Sequence, residues 1–307
     1  MKTFVGIEIG GTKLQIVVGD GSAKIQERFR YSVSPNQGAN GIRQQIEIAL
    51  KEILPKIKPA AIGVGFGGPV DWRTGKICCS HQIEGWSDFP LGEWLHSLTN
   101  VPVFADNDAN VGALGEAIHG AGKSFSPVFY VTLGSGVGGG LVVDGKIYHG
   151  AKPGESEIGH LRLDKSGGIV ESSCSGWAVD KKIRDTVLHN PNCVLAQLVG
   201  DETHGEARFL QAALHQNDPL ARQILNETAD DLAFALSHVS HLFHPEIVIL
   251  GGGLSLVGEP LRVTVEKALP KFSTKAFAPG PKILLAKLSE DVVPVGALTL
   301  VKLQSLN

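Results

Sequence analysis

The residues able to do chemistry gather in a few short stretches of the chain. Asp106-Asn107-Asp108-Ala109-Asn110 places two carboxylates and two amides within five positions, after the apolar run Val101-Pro102-Val103-Phe104 and just before Val111, Leu114 and Ile118, which recur at helical spacing. A strand-to-helix junction of this kind exposes side chains at the edge of a sheet and adds the partial positive charge of a helix N-terminus. A carboxylate fixed there can take the proton of a hydroxyl while a phosphoryl group arrives, which makes Asp108 the candidate general base. The competing role for an Asp at such a junction is helix capping, but one cap does not need four polar residues. A second constellation is Gly154-Glu155-Ser156-Glu157-Ile158-Gly159-His160, where Glu157 and His160 stand three residues apart in a compact loop and can hydrogen-bond the hydroxyls of a polyol. Glu171, in Glu171-Ser172-Ser173-Cys174, is a third candidate hydroxyl acceptor.

Two glycine-rich turns supply the other half of a group-transfer site. Ile9-Gly10-Gly11-Thr12-Lys13 and Gly134-Ser135-Gly136-Val137-Gly138-Gly139-Gly140 each join two apolar strands, and each second strand runs on to an Asp-Gly turn. Backbone N–H groups of such turns approach phosphate oxygens without a Cβ in the way, so the pair suggests a nucleotide gripped from both sides. Neither turn is a P-loop or a dinucleotide loop, because a strand rather than a helix follows each. Gly251-Gly252-Gly253 closes the strand Ile247-Val248-Ile249-Leu250 and offers a further nucleotide-facing surface.

These sites need a scaffold, and the repeated order of strand, Gly turn, strand and Asp-Gly turn reads as a duplicated α/β domain. Residues 40–57 read as an amphipathic helix, residues 205–243 as helical, and the stretch from about Pro294 as a C-terminal helix with the small pair Gly296-Ala297 in its first turn, docking back on the first domain. The chain has 307 residues, room for one large or two medium domains, and a net charge of −3 that offers no footprint for nucleic acid or a membrane surface. The expected partner is a small molecule. The four cysteines, Cys78, Cys79, Cys174 and Cys193, have neither zinc-site spacing nor the density of a disulfide scaffold, so reduced thiols are expected. The first strand begins right after Met1-Lys2-Thr3, which leaves no room for a signal peptide, and no run of ~18 apolar residues is present. A cytoplasmic protein is expected.

Taken together, these motifs resemble the ROK (repressor, ORF, kinase) group of sugar kinases in the actin-like ATPase superfamily, over nearly the whole chain. Ile9–Lys13 is similar to that family's first phosphate loop, Asn107-Asp108-Ala109-Asn110 with Leu114-Gly115-Glu116 to its catalytic segment, and Gly134–Gly140 to its second phosphate loop. Glu157-Ile158-Gly159-His160 resembles the sugar-binding motif, Gly251-Gly252-Gly253 the adenosine loop and Gly296-Ala297 the connecting helix. The resemblance implies a duplicated actin-like (ribonuclease H-like) fold with two domains around a nucleotide and sugar cleft, the first spanning 1–115 plus the helix 292–307 and the second 116–291. It implies an ATP-dependent hexose kinase acting on glucose or an N-acetylated amino sugar, with Asp108 as base. Gln82, Asn107, Asp108, Glu157, His160 and Glu171 would meet the sugar. Gly10, Gly11, Thr12, Lys13, Gly134, Ser135, Gly136, Gly138, Gly251, Gly252 and Gly253 would meet Mg-ATP, and the chain would form a homodimer.

Three departures accompany the resemblance. Glu8 stands where the family usually has an Asp near the metal, and Gln82 stands ahead of Gly85-Trp86 where Asn is common. Many members follow the Gly-His pair with a long loop whose three cysteines bind zinc together with that His; here only residues 161–170 separate His160 from Glu171 and none is Cys, so a protein without zinc is expected. Polyphosphate in place of ATP, and a non-catalytic sugar sensor, are the alternatives within the family. A cytoskeletal or chaperone-type ATPase of the same fold would have no use for Glu157 and His160.

Overall fold

In the computed structural model the described residues are 2–80, 83–152 and 156–305. β1 (Thr3–Ile9) and β2 (Lys13–Asp20) are nearly continuous apolar runs, and they are buried along almost their whole length, as expected of strands covered on both faces. They pair antiparallel, β2 continues into the antiparallel β3 (Ile25–Ser32), and β1 pairs in parallel with β4 (Ile62–Phe66), which in turn pairs in parallel with β7 (Val103–Asn107). A small hairpin, β5 (Val70–Asp71) and β6 (Lys76–Ile77), follows β4. The first sheet therefore runs β3-β2-β1-β4-β7.

The second sheet repeats that order with β8 (Val128–Leu133), β9 (Val137–Val143), β10 (Lys146–Ile147), β11 (Ile247–Gly251) and β12 (Lys282–Leu285), arranged β10-β9-β8-β11-β12. As in the first sheet, the central strand (β8) pairs in parallel with β11, and β11 with the edge strand β12. The duplication read from the two Gly turns is thus a duplication of topology. The mixed α/β class is as the sequence predicts.

Two compact units result. One holds residues 1–124, 140–156 and 290–307, the other 125–139 and 157–289. In the first, α1 (Gly38–Ile53) buries Ile42, Ile46, Ala49, Leu50 and Ile53 against the sheet core of Ile7, Ile16, Val64 and Trp86. α2 (Leu91–Thr99) and α3 (Asp108–His119) complete it with α10 (Val292–Gln304). α3 and α10 touch backbone to backbone: a methyl group on Gly115 would meet the Val292 carbonyl oxygen at 2.6 Å, and one on Gly296 would overlap the Val111 carbonyl. That contact holds α3, and hence the residues at its start, against the sheet.

The second unit is mostly helical outside its sheet, with α4 (Val170–Cys174), α5 (Gly176–His189), α6 (Val194–Val199), α7 (Leu210–His215), α8 (Pro219–Phe243) and α9 (Glu259–Ala268). The continuous helical pattern over 205–243 is broken in the structure. Asn217 takes a left-handed φ of 58°, and Asp218 accepts the N–H groups of Leu220 and Ala221 to cap α8, with Pro219 in its first turn. No helix among the described residues is long and apolar enough to cross a membrane.

Because no space exists for a side chain at Gly296, replacing it with Val should overpack the α3–α10 contact and cost about 1–3 kcal/mol. Thermal unfolding should show a lower midpoint for Gly296→Val; an unchanged midpoint would contradict this packing.

Candidate active site

β7 turns into α3 at Asn107, which has the extended backbone of an N-cap (φ −60°, ψ 144°) and accepts the N–H groups of Ala109 at 2.9 Å and Asn110 at 3.2 Å. Capping therefore falls to Asn107, and Asp108 occupies the first helical position. A methyl group on Gly67 would lie 3.4 Å from the Ile9 carbonyl, 3.5 Å from Asp108 Oδ2 and 3.6 Å from Gly10 Cα, so Asp108 and the first Gly turn border one strand-end corner. Asn107 Nδ2 also donates to the Gly68 carbonyl at 3.2 Å, which commits most of its amide to structure and leaves one N–H for a substrate. Glu116, fully buried, accepts the N–H of Ala121 at 2.7 Å and closes the far end of α3.

The first turn is tight, with Gly10 N–H donating to the Lys13 carbonyl at 2.9 Å around Gly11 and Thr12. Lys13 Nζ lies 3.1 Å from Glu8 Oε1, and Gln15 Nε2 donates to Glu8 Oε2 at 2.7 Å. Burial pushes the Glu8 carboxyl above its ordinary value, with the Lys13 charge opposing. Each Glu8 oxygen thus has one partner and keeps a lone pair for a further one. Mg2+ needs only one or two carboxylates when phosphates and water supply the rest, and Glu8, beside the first Gly turn, is a carboxylate of the kind such a cation would take. Gln82 lies outside the described residues.

In the second unit, Gly134 N–H donates to the Gly136 carbonyl at 2.9 Å, and Gly176 N–H at the start of α5 donates to the Gly134 carbonyl at 2.7 Å. Glu171 Oε2 accepts the Val137 N–H at 2.9 Å, which joins a candidate sugar ligand to the phosphate turn and leaves Oε1 for a hydroxyl. Gly159 lies against the Val137 carbonyl so closely that any side chain would overlap it. Its neighbours Glu157 and His160 stand 4.0 Å apart, both largely exposed at 45% and 56%. The structure therefore brings Glu157, His160, Glu171 and the second Gly turn together.

The short loop between His160 and Glu171 is organised by Asp164. Its Oδ1 accepts from Ser166 Oγ, Ser166 N at 2.6 Å and Gly167 N at 2.9 Å, and these donors hold its carboxyl below the usual range. Leu163 N–H donates to Gly168 and Val170 N–H to Leu161, which zips the loop like a small hairpin. Among the described residues no group of three or more His, Cys, Asp or Glu is placed to hold a metal. Cys174 is fully buried and its thiol is pushed up to about 12 by burial.

A cavity of about 560 Å³ opens beside Gly134, Ser135 and Gly253, three residues singled out in the sequence as nucleotide-facing. Its walls are mainly apolar, from Leu133, Leu254 and Val257 to Trp177 and Leu256, which are 59% and 70% exposed. Arg208, Gln211 and Asp180 add polar groups. Asp180 accepts the N–H groups of Gly205 at 3.2 Å and Ala207 at 2.7 Å, so it shapes one wall. Gly251 and Gly252 lie just before the cavity, Gly252 packed on the Leu133 backbone. Gly136 and Gly138 do not line it, and Gly10–Lys13 belong to the other unit. Trp177, Asp180, Arg208 and Gln211 escape a motif reading, since what unites them is tertiary pairing of two distant segments; the one local signal is an aromatic directly after Ser175-Gly176.

A model of the ROK family matches residues 4–304. The chain belongs to the ROK family. A glucokinase from Halalkalibacterium halodurans is 31% identical over 317 residues, covering 98% of this chain and 95% of that protein. A glucokinase from Thermotoga maritima is 28% identical over 307 residues and covers 97% of each. The crystal structure of a ROK family glucokinase from Streptomyces griseus in complex with glucose and AMPPNP superposes with a TM-score of 0.85 at 29% identity, over 97% of this chain and 98% of that one. The duplicated sheet described above is that of the actin-like ROK kinases.

The contrast between the cysteines of this ROK chain is testable. An aromatic disulfide reagent should modify the exposed Cys78 in the native protein and reach Cys174 only on unfolding. Rapid native labelling of Cys174, mapped by peptide mass spectrometry, would overturn its assignment as a core thiol.

Proposed function

We propose that this sugar phosphotransferase of the ROK family is an ATP-dependent hexose kinase that phosphorylates a primary hydroxyl, with Asp108 as the general base. The observation that carries the reading is that Asn107 caps α3 and Asp108, one residue on, borders the first Gly turn. A carboxylate there accepts the hydroxyl proton as the oxygen attacks the γ-phosphorus; the bond to the leaving phosphate breaks and ADP departs. Lys13 and the backbone N–H groups of the first Gly turn, beside Asp108, would oppose the phosphate charge. Mg2+ carried on the triphosphate would neutralise part of that charge.

Glu157, His160 and Glu171 are assigned to the sugar hydroxyls. The Val137 N–H holds one Glu171 oxygen in place and thereby aims the other. A site built to bond hydroxyls rejects sugars that lack them, so this cluster favours a hexose with glucose-like hydroxyls or its N-acetylated amino form. The glucokinase relatives support the same choice. For the donor, a largely apolar cavity of about 560 Å³ suits a nucleoside and has no counterpart in what polyphosphate needs. A homodimer, implied by the family resemblance, belongs with this reading and is checked by light scattering.

Asp108→Asn should lower kcat by about 10²–10⁴-fold in a coupled ADP-release assay, with the fold and sugar affinity retained. Near-normal turnover with any accepted sugar would refute the base. Trp177→Ala should raise KM for ATP while leaving KM for the sugar and the thermal midpoint nearly unchanged. If polyphosphate supports faster turnover than ATP, or Trp177→Ala leaves the ATP dependence untouched, the nucleotide assignment of the cavity fails. Sugar binding by calorimetry with no turnover from either donor would favour the sensor reading instead.

A further inference from the structure

His149 lies outside every motif considered above, yet its ring meets the catalytic segment. Its Nε2 is 2.6 Å from Oδ2 of Asp106, whose side chain is only 3% exposed. The other Asp106 oxygen accepts the Asn107 N–H at 2.8 Å and Asn110 Nδ2 at 3.0 Å. One buried carboxylate thus ties a histidine from the segment after β10 to both ends of the turn that begins α3. A carboxylate can only accept, so the imidazole carries its proton on Nε2 toward Asp106.

The ring is held as firmly as its partner. It stacks on Trp72 with centroids 4.3 Å apart and planes 16° from parallel, and Arg73 lies 5.2 Å over the same indole. Next to Trp72, Asp71 pairs with Lys152, so the β5–β6 hairpin grips the His149 segment at two points. All these residues belong to the first unit.

We propose that His149 is a positioning residue for phosphoryl transfer: through Asp106 it fixes the first turn of α3, which presents Asn107 and Asp108. The proposal rests on the reading of Asp108 as the base. Without the imidazole donor, Oδ2 of Asp106 is left buried and unpaired, and the turn must shift or admit water to satisfy it. A planar ring that both stacks and donates does what neither an aliphatic nor a purely aromatic side chain can.

The test uses the whole 307-residue chain with three variants at His149. His149→Phe keeps the stack and loses the donor, His149→Gln restores an N–H donor, and His149→Ala is a second donorless variant should the first not fold. The donorless variants should lose kcat, by up to about 10²-fold, the cost of displacing a reacting group by about 1 Å, with KM for ATP and sugar little changed. His149→Gln should recover most of the loss. Equal losses in the Gln and donorless variants, or losses that track the thermal midpoint alone, would overturn the proposal.

Two readouts are independent of turnover. In the wild type a low-field imidazole N–H proton resonance should be present, and it should vanish in His149→Phe and in Asp106→Asn. Amide hydrogen exchange at Ala109 and Asn110 should accelerate in the donorless variants and return toward wild type in His149→Gln. If the wild type phosphorylates no sugar, the kinase reading fails on its own, while the resonance and the exchange rates still decide whether His149 holds α3; unchanged exchange would refute it.

Discussion

The turn from β7 into α3 hangs on the Asp106 carboxylate, and much of the first unit's functional corner depends on that turn. Asp106 is 2% exposed, and burying a carboxylate is costly unless its oxygens are matched by donors. Here the Asn107 N–H, Asn110 Nδ2 and His149 supply them. With Asp106 so occupied, Asn107 caps the helix and half-buried Asp108 lies beside Gly67. Three consecutive polar residues of similar chemistry are therefore placed differently: Asp106 anchors the turn, Asn107 caps the helix and Asp108 takes the first helical position.

The same sheet order occurs twice, but the two copies are put to different uses. In the first, the strand-end corner carries carboxylates and a short Gly turn closed on Lys13. In the second, the strand ends border an apolar cavity, and the Gly turn is fastened both to α5, through Gly176, and to Glu171, through Val137. A common topology places strand ends and turns in equivalent positions; what each corner does is decided by the few side chains that close it.

How much of this could be read in the sequence depends on how local each feature is. The Gly turns, the duplicated order of strands and the polar junction at 106–110 are contiguous, so periodicity and turn chemistry reveal them. Which member of Asp106-Asn107-Asp108 caps the helix is not contiguous information, because all three residue types can cap; Asp106 is instead bonded to His149, 43 positions away in sequence. The walls of the cavity are likewise assembled from residues 133–135, 176–180, 205–211 and 253–257. The break at Asn217-Asp218-Pro219 is a different kind of omission. Its cap and proline signals are in the letters, but the helical apolar periods on either side, which include Leu210 and Leu214 before it and Leu225, Leu232 and Leu236 after it, draw the reading across them.

The loop between His160 and Glu171 is held by its own hydrogen bonds. A zinc site would fix such a loop by tying distant thiolates to one ion, which allows the loop to be long. With only ten residues available, the chain instead folds 164–168 around one carboxylate, and cross-links 161 to 170 and 163 to 168 by backbone hydrogen bonds. The two ends of that loop are His160 and Glu171, so the spacing of the candidate sugar ligands is set by Asp164 and the hairpin it organises. In that respect Asp164 does for the second unit what Asp106 does for the first: neither is assigned to touch substrate, and each fixes the backbone that carries the residues that are.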